Sequence, residues 1–241
     1  MKKYRKKQNK YAILLFSSFI LMVTSIILNF TILDLSVETK LLFMILLLMI
    51  WGILLFYLSI KLRLYTEYYQ LAGLKEMYEG PITNKYDTLD HRVFTSLQRI
   101  GFSPAKKFSS FDVIDRHIEK ANFANSKRGI LEIVLCIYDD SIGFYDEKTD
   151  EAIYNIENSY RGSDKKYSNY FIYPIKIVDE LTEEKFYDIN KVTIEKNGKL
   201  SITVLPIFYE RKTNQFYFLN SSFNASPQYE YAKNFIKSNF S

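Results

Sequence analysis

Two uninterrupted apolar runs constrain this chain more than any other feature: residues 11–33 give 23 consecutive uncharged positions and residues 41–60 give 20 more. As an α-helix, each reaches about 30 to 35 Å, enough to cross the hydrocarbon of a bilayer. A segment inside hydrocarbon must satisfy its own backbone groups, and for two separate runs of this length only the helix does so. The sequence therefore predicts a membrane α-hairpin of two transmembrane helices, 11–33 and 41–60, joined by a short outside loop at 34–40.

Charge sets the orientation. A basic tail, residues 1–10, carries Lys2, Lys3, Arg5, Lys6, Lys7 and Lys10, while Lys61 and Arg63 follow the second run. Cations collect on the cytoplasmic side of a membrane, so both termini are expected in the cytoplasm of a multi-pass protein of the bacterial plasma (inner) membrane. A cleaved signal peptide fits less well, because the first run exceeds a usual apolar core and ends without a small-residue cleavage pattern. The first 61 residues hold eight basic and two acidic side chains, and the rest hold 24 and 25. The net charge of +5 thus belongs to the membrane flank, and no general nucleic-acid binding is expected.

Along the first run Ser17, Thr24 and Thr31 recur every seven residues, with Ser18 and Ser25 beside them. Small hydroxyl residues on one stripe mark helix packing. The expected partners are the bilayer lipid and either a second copy of the chain or another protein, met through the hairpin.

Past the membrane, apolar residues at three- and four-residue spacing predict a helical stalk over 61–80, ended by Gly80-Pro81. Residues 81–241 then read as a cytoplasmic β-rich α+β domain. A helix is expected over 89–100, capped by Asp87 or Thr88 and stopped at Gly101. Strand-like runs follow at 111–118, 129–138, 142–145, 152–156, 170–178, 191–196, 200–210 and 215–219, with Asn197-Gly198 as a hairpin turn. A helix over 229–237 closes the domain. The expected fold is a mostly antiparallel sheet or small barrel with flanking helices.

Chemistry is harder to find. One cysteine, Cys136, excludes an intrachain disulfide, and its apolar surroundings make it a core thiol. His91 and His117 have no metal-ligand spacing, the glycines make no phosphate cradle, and no cofactor is expected. Glu210-Arg211-Lys212, with Asp179 or Asp188, has the carboxylate and lysine form of a metal-dependent nuclease. Asp139-Asp140, near Asp146, Glu147, Asp150 and Glu151, offers oxygens to a hard cation, but solvated turns use the same residues. The segment Tyr160-Arg161-Gly162-Ser163-Asp164-Lys165-Lys166-Tyr167 sets three cations among hydroxyls around one glycine, a composition suited to an anionic ligand or headgroup. Its ligand candidates are Tyr160, Arg161, Lys165, Lys166 and Tyr167; no catalytic residue is assigned. The expected function is an anchored binding domain, an accessory or scaffold for a protein partner or membrane-proximal ligand. A tethered effector that senses a small anion, or a metal-dependent nuclease, is the alternative.

Overall fold

The computed structural model describes residues 1–31, 36–86, 91–119, 129–161, 167–197 and 200–241. The chain divides into two units, Met1–Glu76 and Met77–Ser241.

The first unit is a pair of helices, α1 (Lys2–Thr31) and α2 (Val37–Glu76), both long and apolar enough to cross a membrane. Along α1 shielded positions recur at alternating steps of three and four, Tyr4, Gln8, Tyr11, Leu15, Ser18, Met22, Ser25 and Asn29, with Ile26 beside Ser25. A seam spaced in this way lets two helices interlock along their whole length. Outside the seam α1 exposes apolar side chains such as Ile13, Phe16, Phe19 and Ile20, and α2 exposes Leu42, Ile45, Met49 and Ile53. The basic segment 1–10 is helical, since helix α1 starts at Lys2. There the seam is aromatic and polar: Tyr11 stacks on Tyr65 at 5.2 Å, Tyr4 tilts against Tyr68 at 5.7 Å, and Gln8 Nε2 donates to Thr66 Oγ1 at 3.1 Å.

The second unit is a mixed sheet between two helical layers. Its strands are β1 (Ile82–Thr83), β2 (Lys106–Lys107), β3 (Phe111–Ile118), β4 (Gly129–Ile137), β5 (Tyr167–Val178), β6 (Thr193–Asn197), β7 (Leu200–Val204), β8 (Ile207–Glu210) and β9 (Gln215–Tyr217). Its helices are α3 (His91–Arg99), α4 (Glu147–Arg161), α5 (Glu183–Asp188) and α6 (Pro227–Phe240). The sheet order is β1-β9-β8-β5-β4-β3-β2, with the β6-β7 hairpin joined through β7 to β5.

Five of the eight described strand pairings are antiparallel, as the sequence predicts, but the sheet is mixed and does not close into a barrel. The sheet is open, and its centre is parallel: β4 with β5, and β5 with both β7 and β8. The cause is α4. Residues 152–156, expected as a strand, lie inside this helix, and residues 142–145 form no strand. Ala152 and Ile156 are buried and Tyr160 half-buried, at the four-residue step of a helix face. Asp146 Oδ1 accepts from Lys148 N at 3.0 Å, the capping bond that starts the helix. A helix between two strands carries the chain back across the sheet, and the strands then run parallel.

Parallel strands bury both faces. All nine residues of β4 are buried, and each large aliphatic side chain so placed contributes about 1.5–3 kcal/mol relative to exposure. Ile130, Val134 and Cys136 face a core closed by α3 and α6, while Leu131, Ile133 and Leu135 face one closed by α4. The run expected as one strand over 200–210 breaks at Leu205-Pro206, so β7 pairs the first half of β5 and β8 the second. Pro206 has no backbone donor for the ladder. Gly101, with φ +98°, occupies the left-handed region that ends α3. The expected cap at Asp87 or Thr88 and the turn glycine Gly198 lie outside the described residues.

Candidate functional site

Tyr160 and Tyr167, the first and last residues of the segment singled out in the sequence, lie in the last turn of α4 and at the first position of β5. Both meet β3. Strand alternation sends Asp115 and His117 of β3 to the α4 side, beside Phe111 and Val113. The Tyr160 hydroxyl donates to Asp115 Oδ2 at 2.6 Å. Its ring stacks on His117 at 5.6 Å, and Tyr167 meets the same imidazole edge-on at 6.5 Å. Asp115 is 5 % exposed and has further partners: Ser103 Oγ donates at 2.9 Å, and Lys106 Nζ lies 3.9 Å away. Burial, followed by the bond to the Asp115 carboxylate, pushes the Tyr160 phenol above its usual range. Tyr160 is therefore a hydrogen-bond donor at neutral pH, not a phenolate. Arg161 ends α4, whereas Lys165 and Lys166 lie outside the described residues.

The opposite end of the sheet presents the carboxyl ends of β4 and β5, the edge along which open α/β sheets bind ligands. Here Asp139 and Asp140 follow β4. Lys176, 8 % exposed on β5, donates to the Asp140 carbonyl at 2.7 Å and pairs with its carboxylate at 3.4 Å. Lys185 of α5 reaches the same carboxylate at 2.6 Å. That hydrogen bond, with the charge of Lys176, holds the Asp140 carboxyl below its usual value. Asp139 accepts from Ser141 N at 2.9 Å and from Ser141 Oγ at 2.7 Å. Of the carboxylates that suggested a hard cation, Asp139 and Asp140 are thus met by the protein's own ammonium and hydroxyl groups. Among the described residues, no group of three or more His, Cys, Asp or Glu side chains could hold a metal ion.

Beside this edge, a groove of about 240 Å³ runs between the β2-β3 turn and α4. Ser109, Ser110, Lys148, Glu151 and Asn155 supply its polar groups, and stacked Phe108 and Phe111, 4.6 Å apart, supply its apolar wall. Lys148, Glu151 and Asn155 line it because steps of three and four place them on one face of α4.

Glu210 sits in a different setting from the one its spacing with Lys212 suggested. Its Oε1 accepts from Leu181 N at 2.8 Å, and its Oε2 accepts from the Thr213 hydroxyl at 2.5 Å and the Tyr217 hydroxyl at 3.2 Å. Burial raises the carboxyl, but these bonds outweigh it and hold the group below its usual value. Lys212 pairs with Glu180 at 3.4 Å, and Arg211 pairs with Asp179 at 2.8 Å. The carboxylate is bound into the β8-β9 turn.

Comparison with known proteins finds no matching family model, no matching curated protein and no matching solved structure.

Some polar groups escaped the sequence reading although a signal was present. Glu132 lies inside an otherwise apolar strand and is fully buried. Arg116 forks onto it, with Nε donating to Oε2 at 2.7 Å, and the Tyr231 hydroxyl donates to Oε1 at 3.0 Å. The guanidinium also lies over Phe102 at 4.7 Å and donates to Ile100 O at 2.8 Å. Burial pushes the Glu132 carboxyl up against the opposing pull of Arg116 and Tyr231. A charge in an apolar run requires a buried partner; the same signal marks Lys176.

In the first unit the hydroxyl stripe divides. Ser18 is buried and Ser25 half-buried in the seam, while Ser17, Thr24 and Thr31 are exposed. Thr24 and Thr31 donate back to Ile20 O and Ile27 O of their own helix.

Proposed function

We propose that the chain is an integral plasma-membrane protein whose helical pair spans the bilayer with both ends in the cytoplasm. It carries a domain that binds a protein partner or a membrane-proximal ligand, as an accessory or scaffold. One observation carries the membrane part. The fully buried side chains of α1 are the small and polar Ser18 and Asn29, beside half-buried Tyr11, Leu15 and Met22, while large apolar ones such as Phe16, Phe19 and, on α2, Ile53 face outward. That is the reverse of a water-soluble helical pair and suits hydrocarbon, where small residues let backbones approach.

Binding is favoured over catalysis by the state of the polar groups. Asp115, Asp140, Glu132 and Glu210 each hold hydrogen bonds or ion pairs within the domain. The groove beside α4 combines an aromatic wall with five polar side chains at the ligand-binding edge of the sheet. Sensing of a small anion through Arg161, Lys165 and Lys166 is the alternative, supported by the bonds that fix Tyr160 and Tyr167 on either side of them.

The test is native mass spectrometry of the full-length protein extracted from its host membranes in mild detergent. A stoichiometric protein companion, lost when Lys148 and Asn155 are replaced by Ala, supports the accessory reading and its groove. A retained small anion supports the sensor instead. Recovery in the soluble fraction without detergent would overturn the membrane reading.

A further inference from the structure

We propose that the basic end of the helical pair is a rigid binding surface for anionic phospholipid headgroups, which act as ordered counter-ions to α1. The proposal rests on the membrane reading above and deepens it, from an anchor in any bilayer to one selective for anionic lipid.

The charges at the start of α1 conflict with its own helix. Six of its first nine residues, Lys2, Lys3, Arg5, Lys6, Lys7 and Lys10, are basic, and its first turn contains no acid. Cations at a helix N-terminus oppose the macrodipole. They also repel one another at three- and four-residue steps, as in Lys2 with Lys6, Lys3 with Lys7, and Lys6 with Lys10. An isolated helix of this composition frays, yet α1 is continuous from Lys2.

The seam supplies part of the answer. Tyr4, Gln8 and Tyr11 are held against Tyr68, Thr66 and Tyr65 of α2, and the Lys7 ammonium lies 5.0 Å over the Tyr65 ring. Those contacts fix the helix and turn all six cations outward, where each is exposed. They do not neutralise it. Among the described residues of this unit the nearby carboxylates are Glu67, held by Arg63 at 2.9 Å, and Glu76, held by the Met1 amino group. No described carboxylate lies within ion-pair distance of the six, so no described group of the chain serves as their counter-ion.

The geometry selects the anion. At a rise of 1.5 Å per residue the six cations extend about 13 to 14 Å from the start of the apolar run. Lys7 and Lys10 stand within one turn of that run, and Lys61 of α2 adjoins its own. This is headgroup depth, where the phosphodiesters of anionic lipids attract basic residues. Tyr11 and Tyr65 lie at the same level with an apolar body and a polar tip, as interfacial aromatics do.

The experiment reconstitutes the full-length protein into nanodiscs containing equal parts phosphatidylcholine and phosphatidylglycerol, then counts retained lipids by native mass spectrometry. The wild type should retain phosphatidylglycerol severalfold over phosphatidylcholine. A variant with Lys2, Lys3, Arg5, Lys6 and Lys10 changed to Gln should lose that preference, and the matching Lys→Arg variant should keep it. As a reading free of substitutions, the wild-type Tm should rise when phosphatidylglycerol replaces phosphatidylcholine, and salt should diminish the rise. Equal enrichment in the Gln variant, or no preference in the wild type, would overturn the proposal while leaving the membrane reading intact. Displacement of the retained lipid by millimolar inorganic phosphate would overturn the lipid assignment in favour of a soluble anion. Failure of the wild type to enter nanodiscs would overturn the membrane reading itself.

Discussion

Glu132 shows how a single buried charge governs this domain. Its carboxylate is taken out of water at a cost that Arg116 and Tyr231 offset through short hydrogen bonds. Removing one partner leaves the other unpaired in the core, so Glu132→Ala should destabilise the full chain by about 3–5 kcal/mol in urea unfolding. Replacing both Arg116 and Glu132 by Met and Leu should cost less than the single change, because no orphaned charge remains. A double replacement costlier than Glu132→Ala would mean that the pair is a net stabilising interaction. Asp140 provides the opposite case at the surface. Its folded value is depressed below the usual 3.8, so its stabilisation is complete above that value and is lost as pH falls through the lower folded one. Asp140→Asn should therefore lower the Tm at pH 7 and remove part of the acid-side decline, with little difference from wild type at pH 2. A constant offset at every pH would show that Lys176 and Lys185 do not depend on the carboxylate charge.

At the scale of elements, legibility followed the physics of each pattern. Strand β3 was readable because Phe111, Val113, Asp115 and His117 alternate with residues of the other face, and α6 because Tyr231, Phe235 and Ile236 share one face. Helix α4 was hidden: its buried face is narrow, with Ala152 and Ile156, and Ile153 and Tyr154 break the helical pattern. Missing that helix also concealed the parallel centre of the sheet, since strands buried on both faces carry no alternation to read. Tyr160 and Tyr167 were legible as a polar segment's ends, but their partners Asp115 and His117 are distant in sequence and joined only by the fold. The hairpin showed a similar limit. Hydroxyl spacing located Ser18 and Ser17 alike, yet only Ser18 lies in the seam. Ser18→Leu should overpack that seam and destabilise the helical pair by about 1–3 kcal/mol, while Ser17→Leu should leave it nearly unchanged. Thermal unfolding of the full chain in detergent, followed by Tyr fluorescence, separates the two; equal effects would place both serines on one face.

Two units with separate cores imply two separable behaviours for the whole molecule. The second unit has apolar clusters on both faces of its sheet, closed by α3 and α6 on one side and α4 on the other. The sheet edge at β1 and β9 is formed within residues 77–241, so none of its pairing depends on the helical pair. Residues 77–241 produced alone should therefore stay in the soluble fraction and unfold in one cooperative transition. On the proposed membrane reading the full chain should sediment with membranes and resist alkaline carbonate, because an apolar surface such as that around Phe16, Phe19 and Ile53 is disfavoured in water. Release of the full chain by carbonate would show a peripheral attachment and sink the spanning hairpin. Aggregation of residues 77–241 would show that a buried surface of the sheet domain had been exposed, and that the two units form one folding unit. Soluble behaviour of the fragment together with carbonate resistance of the full chain would make α1 and α2 the sole source of membrane affinity.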